Sequence, residues 1–354
     1  MIRKHKPTID DVAREAGISQ TTASYILSGS KHADRISFST KQRILAAAKR
    51  LGYSRNSIGA ALQRGYSDNI ILLAVNWELA SAHSKTMVSA SRAAALSGLS
   101  TIVHVAGDDE EAALFLQNIS SLNPYGLLLL WDSAAEPDLK ILELRESGLP
   151  VVELIPCSTK GGICVTEDRK QGMFAATSHL IELGHRRIGF LLDLTSRWRT
   201  SSHKLAGYKK ALYTAGIDFD ESLLQETWGP YFESGKLGFR NLISRHNDIT
   251  AVMCINDPMA LGAIASAQEI GMRVPKDLSV VGYGNHDDSE YFYPKLTTLS
   301  VSAKDLAIHA VQLLQKIRTD VDCKPRSKYL PMEIELREST SPPSGEYPIS
   351  NSKR

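Results

Sequence analysis

No apolar run in this sequence is long enough to cross a bilayer. Gly126-Leu-Leu-Leu-Leu-Trp131, among the longest, falls far short of the roughly 20 residues that a spanning helix needs. The first 20 residues are basic and helical in pattern and lack the apolar core of a secretory signal, so a cytoplasmic chain with no membrane partner is expected. Cysteine is scarce. Cys157, Cys164, Cys254 and Cys323 show no paired metal-ligand spacing and read as buried, small apolar residues in a reducing compartment. The ten histidines are dispersed, and His179 and His185 do not share a helix face, so no metal site is expected. A P-loop, a Gly-x-Ser-x-Gly elbow and a Gly-rich dinucleotide fingerprint after the first strand are all missing. Only Gly282-Tyr-Gly284 remains, a lone Gly-x-Gly. These gaps argue against an enzyme, and no cofactor is expected.

Charge, by contrast, is present and lopsided. Residues 1–66 hold twelve Lys and Arg against four Asp and Glu, a net of +8; the whole chain is +2, which leaves −6 for the remainder. A basic head on an acidic body is an electrostatic footprint for nucleic acid. Within the head, Thr8 is placed to cap a helix, with Asp11 three positions on as an acidic variant of the capping box. Ile9, Val12, Ala13 and Ala16 form its apolar stripe. Gly17 ends it, and Ser19 caps a second helix with Ala23, Ile26 and Leu27 inward. Gln20, Thr21, Ser24 and Tyr25 then point outward. These are short polar groups in place of the Lys and Glu of a merely solvated face, and they suit base edges and phosphates. A third helix over 40–51, capped by Ser37 or Ser39, closes a small core with Ile44, Leu45, Ala48 and Leu51. Asn56 can cap a further helix of about two turns. So short a helix is marginal alone, and Gly59 weakens it by roughly 1 kcal/mol relative to Ala, so it is expected to order only when something packs on it.

On Ile9 through Ser19, Arg43 through Tyr53, and Asn56 through Leu62, the chain resembles the lactose-repressor (LacI/GalR) family of bacterial transcription regulators. The resemblance implies a lambda-repressor-like, all-α helix-turn-helix head. Gln20 and Thr21 would read bases in the major groove, and Leu62 would wedge into the minor groove on a hinge helix that folds on DNA. Thr8, Ser19, Thr22, Ser24, Tyr25, Asn56, Ile58 and Gly59 complete the expected DNA-binding set. There are departures. Tyr25 stands where many members have a guanine-reading arginine. Arg55 replaces a usual proline and Gly59 a usual alanine. The loop Ser28–Arg35 is a few residues longer than usual.

From Asn69 onward, apolar runs of strand length alternate with amphipathic helical stretches: Ile70–Val75, Thr101–Val105, Gly126–Trp131, Val151–Leu154, Ile188–Leu192, Ala251–Ile255 and Ser279–Tyr283. This alternation predicts parallel sheets covered by helices, and the length suggests two of them. The family resemblance extends here through Val165–Gly172, His179–Gly189, Leu205–Tyr208, Asn256–Gly262, Val274–Gly282, Pro294–Thr298 and Leu336–Thr340. It implies an α/β body of periplasmic-binding-protein type I fold, with two doubly wound parallel-sheet lobes. The resulting boundaries are a DNA-binding domain over 1–54, a hinge helix and linker over 55–68, and an effector-binding and dimerisation domain over 69–340. Lobe 1 takes about 69–166 and 299–328, lobe 2 about 167–298 and 329–340, and 341–354 is a disordered tail.

In such folds ligands sit at the carboxyl ends of strands, here between the lobes. The resemblance places Ile155, Ser202, Asn256, Asp257 and Gly284 at the effector site. Sugar-binding members carry an aspartate, an arginine and an aspartate where this chain has Ile155, Ser202 and Gly284. Those losses remove charge-assisted hydrogen bonds to hydroxyls, so a simple hexose held in the usual way is not expected. Trp228 and Tyr231 offer stacking faces, and Arg197 and Arg199 are alternative cations. A solute-binding protein would explain the body, but not the basic head or the missing signal. The expected function is thus a nucleoid-associated repressor that binds a palindromic operator as a homodimer under control of a small-molecule effector, with a carbohydrate derivative as one candidate.

Overall fold

Thr8 starts the first helix, α1 (Ile9–Ala16), through a reciprocal box. Its backbone N–H donates to Asp11 Oδ2 at 2.8 Å, and the Asp11 N–H donates back to Thr8 Oγ1 at 3.3 Å. Gly17 ends α1 at φ +64°, a conformation that costs glycine nothing. There follow α2 (Gln20–Leu27), a 3₁₀ turn (Lys31–Arg35) and α3 (Phe38–Leu51), which Ser37 caps. The computed structural model describes residues 7–27, 31–53, 61, 64–75, 81–131, 138–155, 162–193, 200–229, 231–320 and 322–344. The chain divides into two units, Met1–Ser67 and Asp68–Arg354.

In the first unit Val12, Ala16, Ile44, Ala47 and Ala48 make the core, with Ile26, Leu27 and Leu51 packed against it. Leu45, expected inside, is half exposed, and Ala47 takes its place. The reason is the helical period: Ile44, Ala47, Ala48 and Leu51 share one face, and Leu45 lies off it.

The second unit opens with lobe 1: β1 (Asn69–Val75), α4 (Ser81–Leu96), β2 (Ser100–Ala106), α5 (Asp109–Asn118), β3 (Gly126–Leu130), α6 (Asp138–Glu146) and β4 (Val151–Glu153). Its sheet is parallel throughout, in the order β2-β1-β3-β4, with Leu72 opposite Val103 on one side and Leu128 on the other. Ile71, Leu73, Leu127 and Leu129 pack with Leu116 of α5 and Ile141 and Leu144 of α6. Alternate strand residues face the opposite way.

Lobe 2 follows β5 (Val165–Glu167). It contains α7 (Arg169–Glu182), β6 (Ile188–Leu192), α8 (Thr200–Thr214), β7 (Leu224–Glu226), α9 (Phe232–Arg245), β8 (Ala251–Cys254), α10 (Asp257–Glu269), β9 (Ser279–Val281), α11 (Asp288–Tyr291) and β10 (Thr298–Ser300). Its sheet, β7-β6-β8-β9, is again all parallel. Helices α7 and α8 pack together, as do α9 and α10. The second pair meets backbone to backbone: a Cβ on Gly262 would stand 2.0 Å from the Phe232 carbonyl oxygen.

The chain then returns through α12 (Ala303–Thr319) to lobe 1, where Leu314 lies over Gly126 of β3. Two short ladders mark the crossings between lobes: β11 (Lys328–Leu330) runs parallel to β5, and β12 (Glu333–Glu335) antiparallel to β10. The expected disordered tail starts too early at residue 341. The Ser341 N–H donates to Ser279 Oγ at 3.0 Å and its hydroxyl to the Pro275 carbonyl at 3.1 Å. Its own carbonyl lies 2.9 Å from Nε2 of buried His185. A polar, proline-rich composition hid this anchor, because all the groups that hold it come from elsewhere in the chain.

Candidate DNA interface and effector cleft

In the head, Arg43 of α3 donates to the Ala16 carbonyl at 2.6 Å, which places a cation on the orphan carbonyls at the end of α1. The turn between α1 and α2 is thereby fixed to the third helix. Ser19 accepts the Thr22 N–H at 3.2 Å, and the two hydroxyls lie 2.8 Å apart, so these side chains hold the start of α2. Gln20, Thr21 and Tyr25 are exposed and Ser24 is half-buried, on a helix that carries no charged side chain. Arg14 and Arg50 lie 3.5 and 3.1 Å from Asp11 and Glu15, so two of the head's few acids are neutralised within the head. Asn56, Ile58, Gly59 and Leu62 lie outside the described residues.

In the body, the carboxyl ends of the strands differ between lobes. Lobe 1 presents Val75, Ala106, Trp131 and Ile155, all buried and apolar. The Trp131 indole N–H donates to Asp109 Oδ1 at 2.8 Å, which ties it to the start of α5. Lobe 2 has the polar residues Asp193, Thr227 and Asn256 at its strand ends, the first two buried, with Gly284 beyond β9. Arg197 and Arg199 lie outside the described residues.

Asn256 spends its side chain on capping α10, where Oδ1 accepts the Met259 N–H at 2.9 Å. Asp257 is turned fully inward. One carboxylate oxygen accepts the His286 N–H at 2.7 Å and the Ser289 hydroxyl at 2.8 Å; the other accepts the Thr298 hydroxyl. Only glycine fits beside it, since a Cβ on Gly282 would stand 2.2 Å from Asp257 Oδ1. Asp257 is bound to its own chain: it braces the 284–289 loop against β10. Gly284 sits in that loop at φ +116° and donates its N–H to the Leu299 carbonyl at 2.8 Å. Ser202 is exposed on the first turn of α8, and Trp228, just past β7, is 89% exposed. Asn256, Asp257 and Gly284 are thus brought together, helped by an Asp257 N–H to Tyr283 carbonyl bond of 3.0 Å.

A buried polar cluster that sequence reasoning did not single out lies at the first crossing between lobes. Glu167 accepts from Arg169 at 2.7 Å, from the Tyr283 hydroxyl at 3.2 Å and from the Thr166 hydroxyl at 3.1 Å. Lys204, also buried, places Nζ 3.8 Å above the Tyr283 ring and donates to the Ile255 carbonyl at 2.8 Å. Burial alone would raise the Glu167 pKa, but Arg169, backbone hydrogen bonding and Lys204 outweigh it and hold the carboxyl below its usual range. Burial, aided by Glu167, pushes the Tyr283 phenol well up. Glu167 and Tyr283 lie within or beside the family anchors. Lys204 precedes Leu205-Ala-Gly-Tyr208, but nothing local distinguishes a buried lysine from a solvated one.

The comparisons with known proteins agree with this layout. Residues 8–56 match the model of the lacI family of bacterial regulatory proteins, and residues 177–340 match the periplasmic binding protein-like domain. An HTH-type transcriptional repressor PurR of Klebsiella pneumoniae (strain 342) is 31% identical over 310 residues, which span 87% of this chain and 89% of that one. The chain belongs to the lacI family of bacterial regulatory proteins. It is a DNA-binding transcriptional regulator, not an enzyme. Among solved structures, a transcriptional regulator CelR–cellobiose complex aligns at TM-score 0.71 with 26% identity, covering 94% of this chain and 99% of that one. The lac repressor dimer bound to operator and the anti-inducer ONPF shares the fold at TM-score 0.78 and 24% identity, covering 95% of this chain and 100% of that one.

Proposed function

We propose that this regulator is a cytoplasmic, nucleoid-associated repressor. It binds a near-palindromic operator as a homodimer and adjusts its grip to a small molecule held between the lobes. The observation that carries this reading is the uncharged, capped and exposed face of α2 on a strongly basic head. Gln20 and Thr21 contact base edges there, and the surrounding Lys and Arg hold phosphates, so affinity falls steeply with salt. Asn56, Ile58, Gly59 and Leu62 act as the hinge, with Leu62 the wedge at the operator centre.

A second copy is favoured by the surface of lobe 1. The edge strand β2 exposes Ile102, Val103 and Val105, and α4 exposes Val88 and Leu96. A bare apolar edge of that kind is an aggregation hazard unless covered. Pairing the bodies gives two recognition helices a two-fold relation, hence the palindrome.

For the effector, Ile155 and Trp131 supply an apolar wall. Ser202, Asn256, Gly284 and the exposed Trp228 ring supply polar and stacking contacts, with Asp257 as the brace of the loop that carries Gly284. An uncharged or weakly polar metabolite with an apolar face suits this site, and a carbohydrate derivative is one such class, as in the cellobiose-bound relative. Effector and operator affinity are coupled reciprocally. Selection from a randomised duplex library, followed by sedimentation of the protein–DNA complex, tests the reading. Enrichment of a two-fold symmetric site bound by two chains is expected; no enrichment over random duplex would sink it. Thermal-shift screening of sugars, sugar acids and nucleobases then addresses the effector.

A further inference from the structure

Two departures from the family pattern in the head meet in space. Tyr25 replaces a usual arginine on α2, and the lengthened loop that follows carries His32. The two rings lie 4.9 Å apart between centroids, with their planes tilted by 37°. His32 is exposed on the 3₁₀ turn that packs on α2, and Tyr25 is 36% exposed beside Gln20 and Thr21.

An unsupported tyrosine on an exposed helix face samples several rotamers. A second ring against one side removes some of them, while the phenol stays partly exposed on α2. A guanidinium reads guanine through two parallel hydrogen bonds, which a phenol cannot supply. Its single hydroxyl either donates or accepts and so discriminates poorly among base edges. The apolar rim of the ring does discriminate, because one base alone presents a methyl group in the major groove.

We propose that Tyr25, held in place by His32, reads the 5-methyl group of a thymine in each operator half-site. His32 is the positioning residue and Tyr25 the contact. The inference rests on the operator-binding reading above and adds to it the base class at one position.

The test uses the full chain and a randomised duplex library. Selection with wild type and with Tyr25→Ala identifies the half-site position that depends on Tyr25. Thymine is expected there for wild type. Replacing that thymine by uracil, which removes only the methyl, should weaken binding by roughly fourfold, the worth of one buried methyl group. The same replacement should leave Tyr25→Ala unaffected. Tyr25→Phe should keep the preference. His32→Ala should flatten the profile at that position and leave the Gln20-dependent positions alone, and His32→Phe should restore it. Equal binding of thymine and uracil duplexes, or loss of the preference in Tyr25→Phe, would overturn the methyl contact. A His32→Ala profile identical to wild type would overturn the positioning role. If wild type enriches no duplex at all, operator binding itself fails; an enriched site with guanine at that position defeats only this inference.

Discussion

Lys85, on the first helix of lobe 1, reaches Asp287 of lobe 2 at 2.6 Å and donates from the same ammonium to the Asn285 carbonyl at 3.0 Å. The loop it grips is the one that carries Gly284. That loop is pinned from behind: Arg337 donates to Asn285 Oδ1 at 2.7 Å, and Asp257 accepts the His286 N–H. Lys85 thus holds a braced loop rather than a loose one, and lowers the Asp287 pKa in doing so.

Both partners are well exposed, so the pair alone is weak. Two lobes in balance nonetheless respond to small biases. Lys85→Met is expected to raise hydrogen exchange in the first turns of α4 and in residues 285–291, by a few-fold at most, while overall unfolding stays near wild type. The charge-swapped double variant Lys85→Asp/Asp287→Lys should recover part of the protection. Exchange identical to wild type in Lys85→Met would show that the contact does not restrain the lobes.

Asp257→Ala deprives three buried donors of their acceptor. A loss of about 3 kcal/mol in unfolding free energy is expected from denaturant titration. Asp257→Asn keeps one acceptor oxygen and should cost less. Gly282→Ala should resemble Asp257→Ala, because the new methyl displaces the same carboxylate. A change under about 0.5 kcal/mol in all three would contradict the bracing role.

Gly262→Ala drives a methyl into the Phe232 carbonyl, and Gly235→Ala drives one into that of Met259, at 2.1 Å. Backbone cannot swing aside as a side chain can, so each is expected to cost about 2–3 kcal/mol. A melting temperature unchanged in either variant would mean that the α9–α10 contact has room for a methyl group.

His185 is buried with both ring nitrogens engaged, Nδ1 at 2.8 Å from the Thr250 hydroxyl. Burial holds its pKa below the ordinary 6.5, against the pull of the Ser341 carbonyl. A base whose folded pKa is depressed stabilises the fold fully above its unfolded pKa. That contribution is lost as pH falls below about 6.5 toward the folded value. His179 and His286 are shifted the same way, each chiefly by burial. The urea midpoint should therefore drop between pH 7.5 and pH 5, and His185→Gln should make that drop shallower. An equally steep drop in the variant would assign the pH response to the other two histidines.

The fold was legible where its cause is local or periodic. The Thr8–Asp11 box, the Gly17 stop and the central strands of both sheets are written in residue type and spacing. The short strands β5, β7, β10, β11 and β12 were not foreseen, because three residues carry too little periodicity and their partners are far away in the chain. The site divides in the same way. Exposure of Gln20, Thr21 and Tyr25 follows from the helix period. The inward turn of Asp257 does not, since the donors that claim it come from the 284–289 loop and β10. The ring contact of Tyr25 with His32 also escaped, because a lengthened loop gives no hint of where it will fold back.

The Ser341 anchor has a practical consequence for anyone shortening or labelling this protein. A stop codon placed before that serine would strip the imidazole of His185 and the hydroxyl of Ser279 of a ligand that each already uses. A reporter or purification handle must follow that clasp, not interrupt it.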